Sequence, residues 1–204
     1  MLKFRFFLII LPLSLLFSCA AIQIQQPQEP LESAVSEPEM PKSSIFIMGE
    51  GKVEGETLTL FLLQRNHFID PDFVRVLAGY YIDEAANEGI NHDVAFSQMC
   101  LETGFLGFGG LVRPEWNNFC GLGAIGPEQP GLIFPDPQTG VRAHIQHLKA
   151  YATEEPLNGE LVDPRYRLVR KGSSPSIDGL SGTWAADRQY AVKIRSILQR
   201  LYEF

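Results

Sequence analysis

The longest apolar run in this chain, Phe6 to Phe17, is about a dozen residues, short of the about 20 that a membrane-crossing helix needs. Basic residues are also scarce, with 17 Lys and Arg against 24 Asp and Glu and a net charge of −7. That balance excludes a nucleic-acid binder, which requires a basic footprint to neutralise phosphates, and it supplies no polybasic patch for a membrane surface. There are three cysteines, so at most one disulfide can form within a single chain. No internal repeat is present. The His-Glu-x-x-His pattern of zinc hydrolases is missing. His144 and His147 stand three apart on one helical stretch with no third ligand nearby, and His67 and His92 are isolated, so no metal site and no cofactor are expected. The histidines are expected to serve as polar caps and core contacts.

What is present centres on Glu102, in Ala95-Phe-Ser-Gln-Met-Cys-Leu-Glu-Thr-Gly-Phe105. Val94, Ala95, Phe96, Met99, Cys100 and Leu101 make this segment apolar nearly all round, as in a helix buried on most faces. A carboxyl at its end would lose water, and burial raises a carboxyl pKa, so Glu102 could keep a proton near neutrality and donate it to a leaving oxygen. The residues alone favour a helix-end Glu that simply points into solvent. Gly104 offers a left-handed stop to the helix, and the glycines after it let backbone approach a ligand.

Further elements follow from periodicity and punctuation. Asp70-Pro71 opens a helix on which Phe73, Val76, Leu77, Tyr80 and Glu84 recur until Gly89 stops it, and Asn91 caps the helix that carries Glu102. Val141, Ile145, Leu148 and Ala152 mark another apolar stripe. Tyr190, Ala191, Ile194, Ile197, Leu198 and Leu201 mark a last one. Thr57 to Leu63 is taken as helical and Ser44 to Met48 as extended. The fold class expected is mainly α. From Gly104 to Pro137 the signals change to Gly, Pro and aromatic residues, which is turn chemistry.

Four blocks in order carry a resemblance: the segment 95–105, then Asn117-Asn-Phe-Cys-Gly121, then Gly140-Val-Arg-Ala-His-Ile-Gln-His-Leu-Lys-Ala-Tyr-Ala152, then Trp184-Ala-Ala-Asp-Arg-Gln-Tyr190. Together they resemble the glucosaminidase domain of glycoside hydrolase family 73. The resemblance implies a lysozyme-like helical domain over 45–204, with the Gly- and Pro-rich stretch as a small irregular or β-containing lobe flanking a groove. It implies an endo-β-N-acetylglucosaminidase, with the glycan strands of peptidoglycan as substrate and Glu102 at the position of the catalytic acid. Asn118 and Phe119 match the family's Asn-Asn-Phe-x-Gly block and are expected to line the groove, with Asn117 beside them. Trp116 and Trp184 are each either a sugar platform or a packing anchor. Tyr190 either orients the substrate's N-acetyl group, or shares a hydrogen bond with the acid, or simply packs in the core.

Glycoside hydrolysis usually pairs the acid with a second carboxylate. Glu115, Glu128 and Asp136 lie in the lobe, of which Glu128 ranks first and Asp136 second; the substrate's own N-acetyl group is a third route. Cys100 and Cys120 are either a disulfide tying the catalytic helix to the lobe or two buried thiols. Besides hydrolysis for wall remodelling, the same fold serves lytic transglycosylases, whose Glu-Ser motif is here Glu-Thr and whose Gly-Leu-Met-Gln block is absent. A non-catalytic wall-binding protein is the third class.

Residues 1–18 have the form of an export signal, with Lys3 and Arg5 ahead of the apolar run. Leu16-Phe-Ser-Cys19 resembles a bacterial lipobox, with Phe17 departing from the usual small or aliphatic residue; cleavage after Ala20 or Ala21 is the alternative. Acylation of Cys19 would hold the protein on a membrane of the cell envelope. Without Lys3 and Arg5 the 17 basic side chains fall to 15 against 24 acidic. Residues 19–44, polar and broken by proline, form an expected disordered tether with a reach of roughly 25–30 Å. The enzyme is expected to act as a monomer.

Overall fold

The computed structural model describes residues 45–204, and the export signal, Cys19 and the tether lie outside them. Helix α1 (Gly55–Arg65) covers the Thr57 to Leu63 run. Helix α2 (Pro71–Glu88) starts where proline's fixed φ suits the first turn, with the Asp70 carboxylate accepting the Asp72 N–H, and ends at Gly89 in the left-handed region, φ 72°. Helix α3 (His92–Thr103) begins with Asn91 Oδ1 accepting the Asp93 N–H at 3.0 Å. It stops at Gly104, φ 59°, whose N–H bonds the Cys100 and Leu101 carbonyls. Phe46 and Met48 form single bridges to Ser176 and Ile90, as an extended segment would.

The lobe follows. Strands β1 (Ala124–Gly126) and β2 (Gln129–Pro130) pair antiparallel, with Ala124 opposite Pro130 and Gly126 opposite Gln129. Helices α4 (Pro137–Ala152) and α5 (Tyr190–Tyr202) complete a mainly α, lysozyme-like fold. α2 packs on α1, α3 and α4, and α3 on α5. α3 is the innermost helix, because every residue from Asp93 to Cys100 is buried. The α5 stripe faces the core as the sequence predicts. Among the described residues no helix is long and apolar enough to cross a membrane.

Two helices differ from the sequence expectation. On α2 the buried face is Val74, Leu77, Ala78, Tyr81 and Ala85, whereas Phe73 and Val76 are exposed. Both sets fit helical spacing, and packing against α1 and α4 selects the one that carries Tyr81. Helix α4 is buried beyond its apolar stripe, since His144, Gln146, His147 and Lys149 are buried too. Segment 153–163 covers its outer side, and each polar group has a partner, as burial requires. Gln146 donates to the Glu160 carbonyl at 2.7 Å and accepts the Val162 N–H at 2.9 Å. Lys149 Nζ lies 2.8 Å from Glu88, which also accepts the Asn158 and Gly159 N–H groups. Burial alone would raise the Glu88 pKa; those N–H groups and the Lys149 ammonium hold it below its ordinary value.

The lobe is fastened to the helices at Gly140. A Cβ there would lie 1.8 Å from the Asn117 carbonyl oxygen, so only glycine lets the lobe backbone sit against α4. Asn118 braces the lobe from within: its amide donates to the Leu122 and Leu132 carbonyls and its oxygen accepts the Leu122 N–H. Gly140→Ala is expected to cost about 3 kcal/mol of unfolding free energy through overpacking. A fall in the urea midpoint measures this, and an unchanged midpoint would mean that the lobe does not press on α4.

Candidate active site

Glu102 sits in the last turn of α3, where the helix leaves the core and meets the lobe. Its Oε1 accepts the phenol proton of Tyr190, the first residue of α5, in a short hydrogen bond. The same oxygen accepts the Trp184 indole N–H at 3.1 Å. Oε2 takes no side-chain or backbone hydrogen bond among the described residues and lies beside Gly121, where an added Cβ would stand 3.7 Å from it. Burial pushes the Glu102 pKa up, and the Tyr190 and Trp184 donors pull it back only in part. Although Glu102 keeps an exposed surface at the helix end, its carboxyl holds a proton to higher pH than a glutamate free in water.

This carboxyl lines one cavity, and a second adjoins it. One of about 160 Å³ is lined by Glu102, Phe108, Leu111, Val112, Asn118 and Gly121 among others. The other, about 210 Å³, is lined by the Gly121 to Ile125 backbone, His147, Tyr151, Arg165 and Trp184. They share Gly121 and Ala124 and so flank the acid on two sides. A cavity of about 470 Å³ between α3 and α5 has no carboxylate in its lining, and one of about 360 Å³ by Gly49 and His92 does not include Glu102. The cavity of about 160 Å³ is the candidate site because the perturbed carboxyl lines it, and the one of about 210 Å³ extends it past Gly121 and Ala124.

Of the residues expected at the site, Tyr190 and Trp184 join Glu102 directly. Asn118 lines the first cavity, but its amide is fully occupied in the lobe and is a brace. Phe119 is corrected: it is 1% exposed and packs against Phe108 in the core, so no sugar reaches its face. Asn117 holds a left-handed turn at φ 52° and donates to the Phe134 carbonyl. Trp116, half-buried on a short 3-10 turn, lines neither cavity.

The second carboxylates also move. Asp136 caps α4, with its oxygens accepting the Thr139 N–H at 2.8 Å and hydroxyl at 2.9 Å, a role its Asp-Pro start could have announced. Glu128 is exposed in the hairpin turn, Glu115 is exposed on the 3-10 turn, and neither lines a cavity. Cys100 and Cys120 are buried free thiols in separate core clusters, the second of the two arrangements the sequence allows. His144 bonds Tyr81 and Gln98, and His147 bonds Asp163 at 2.7 Å. Among the described residues no group of three His, Cys, Asp or Glu could hold a metal ion.

Sequence reasoning missed Gln98, which donates to the Tyr190 oxygen at 2.8 Å. The signal was available, since Gln98 precedes Glu102 by four and thus shares its helix face. It missed Tyr151 and Arg165 in the second cavity as well, and no local pattern marks them.

The family model described as Glucosaminidase, mannosyl-glycoprotein endo-beta-N-acetylglucosaminidase, matches residues 78–203. That span contains Glu102, Trp184 and Tyr190. A protein of Borreliella burgdorferi, described as uncharacterized, is 43% identical over 159 residues, 78% of each chain. No solved structure matches the chain. Replacing Tyr190 by Phe keeps the ring and removes one donor from Glu102. The carboxyl titration of Glu102, followed by carbon NMR, is expected to shift to higher pH in this variant; an unmoved midpoint would show that the phenol does not act on the acid.

Proposed function

We propose how the site works from one premise: the chain belongs to the glucosaminidase family and is a glycoside hydrolase of the endo-β-N-acetylglucosaminidase type that takes peptidoglycan glycan as substrate. Glu102 is the general acid. It gives its proton to the bridging oxygen of the bond that follows N-acetylglucosamine, and Tyr190 and Trp184 stabilise the carboxylate left behind. The observation that carries this reading is a carboxyl with a raised pKa that is held by the Tyr190 and Trp184 donors and lines a cavity beside the lobe.

Glu102 is the one carboxylate in the lining of those cavities. That favours the substrate's N-acetyl oxygen as the group that attacks the anomeric carbon, as the leaving sugar takes the Glu102 proton. Water then opens the cyclic intermediate with Glu102 as base. Phe108 and Leu111 on one side and Trp184 and Tyr151 on the other offer apolar faces to the sugar rings.

The reading of residues 1–44 completes the proposal. Export, acylation at Cys19 and a flexible tether would hold a monomeric domain at an envelope membrane, within reach of nearby glycan, for wall remodelling.

Glu102→Gln tests the acid. Release of glycan from purified sacculi is expected to fall about 1,000-fold, and mass spectrometry of wild-type products should show free reducing N-acetylglucosamine ends. Full activity in the variant would refute the assignment, and anhydro ends would point to transglycosylation. Stability provides a second measure. A carboxyl whose pKa is raised by folding keeps its proton in a pH window where the unfolded chain has lost it, so stability falls as pH rises through that window. The neutral amide escapes that loss, and Glu102→Gln is expected to be more stable than wild type at pH 7, read as a higher urea midpoint. The gain should vanish below the ordinary carboxylate pKa.

A further inference from the structure

The bonds around Glu102 continue into the core through one residue from each of four helices. Gln98 of α3 donates to the Tyr190 oxygen at 2.8 Å. Its carbonyl oxygen lies 3.1 Å from His144 Nε2, and His144 Nδ1 lies 2.9 Å from the Tyr81 hydroxyl. Tyr81, Gln98 and His144 are fully buried, so no water competes for these groups.

The protons have a direction. His144 is neutral, since burial, with His147 adding to it, lowers its pKa to about 3; a neutral imidazole has one donor and one acceptor. The chain can therefore run wholly toward Glu102 or wholly away from it. Running away, Tyr190 would donate to Gln98, and Glu102 would have to donate to Tyr190 from Oε1. That oxygen also accepts from Trp184, whose indole is a donor only, and a carboxyl's hydroxyl oxygen accepts far more weakly than its carbonyl oxygen. Running toward Glu102, every donor finds an acceptor: Tyr81 to His144 Nδ1, His144 Nε2 to Gln98, Gln98 to Tyr190 and Tyr190 to Oε1.

We infer that Tyr81, His144 and Gln98 are positioning residues that act through Tyr190, forming a one-way hydrogen-bond chain that reserves Oε1 as an acceptor and fixes the acidic proton of Glu102 on Oε2, the oxygen beside Gly121 and the cavities. The inference rests on the reading of Glu102 as the acid. A carboxyl free to carry its proton on either oxygen would present the wrong one to the substrate in part of its encounters. When the proton has left, each donor in the chain polarises the next, and Tyr190 becomes a better donor to the new carboxylate. The titratable groups facing the chain are Tyr81 from α2, Cys100 from α3, Cys120 from the lobe, His144 and His147 from α4, and Tyr190 from α5.

Side-chain nitrogen NMR of His144 in the full-length chain tests the direction without reference to activity. The Nε2–H tautomer, neutral from pH 4.5 to 8, is expected; the Nδ1–H tautomer, or titration within that range, would overturn the chain. Kinetics on soluble glycan fragments test its purpose. In Gln98→Met, which preserves side-chain size, kcat is expected to fall about tenfold with KM unchanged. The alkaline limb of the kcat/KM profile should move to higher pH, because Glu102 loses a polarised donor. A merely structural Gln98 would lower the melting temperature and leave that limb in place, which would sink the proposal. Tyr81→Phe removes a single oxygen at the far end and should move the limb the same way by less; it decides the matter if Gln98→Met does not fold. A silent Glu102→Gln with an unmoved limb in these variants defeats the chain alone, whereas an active Glu102→Gln defeats the acid assignment and leaves the tautomer result standing.

Discussion

The site depends on one opposition: crowding around the Glu102 carboxyl raises its pKa although the residue keeps an exposed surface at the helix end, and two donors reach one of its oxygens and pull that pKa back. Burial alone would make it a permanent acid, reluctant to give up its proton. Donors alone would make it an ordinary carboxylate, ionised before substrate arrived. The balance leaves its pKa raised, with the donors opposing the rise, which suits the proposed role of a group that first donates a proton and then carries charge. α3 is buried nearly all round because its end is where that balance is struck, and α5 begins with Tyr190 because a phenol must arrive from the opposite wall.

The lobe is the other half of the groove, and its position is set by backbone contact. Gly140 lets the Asn117 carbonyl touch α4, and Asn118 binds the returning strand segments with three hydrogen bonds. Gly121, in the left-handed region at φ 68°, then passes close to Oε2 of Glu102 without a side chain in the way. Residues of the Asn-Asn-Phe-Cys-Gly block therefore work mostly by holding one glycine at the correct distance from the acid.

Much of this was readable in the chain. Asp70, Asn91, Gly89 and Gly104 mark helix ends through chemistry local to each, and the all-round apolarity of Val94 to Leu101 announces a central helix. The face of α2 was not readable, because Phe73 and Val76 share the period of Val74 and Leu77 and only the neighbouring helices choose between them. The buried polar side of α4 escaped for a similar reason: His144, Gln146 and Lys149 look solvated until their partners, distant in sequence, are in place. Asp136 and Phe119 show the same limit at the site, where a residue type suited to chemistry is engaged in a cap or in packing. Glu102 is singled out by the four-block resemblance together with its apolar helix, whereas its bonding partners Trp184 and Tyr190 are distant in sequence.

Cys100 and Cys120 sit in different clusters, and burial raises both thiol pKa values. Neither forms the thiolate that oxidation or alkylation requires. Among the described residues no disulfide ties the domain together, so its fold rests on packing and hydrogen bonds. Thiol reagents applied to the native protein therefore meet no reactive thiol among the described residues, so labelling by such a reagent reports whether the Cys19 sulfur is free or acylated.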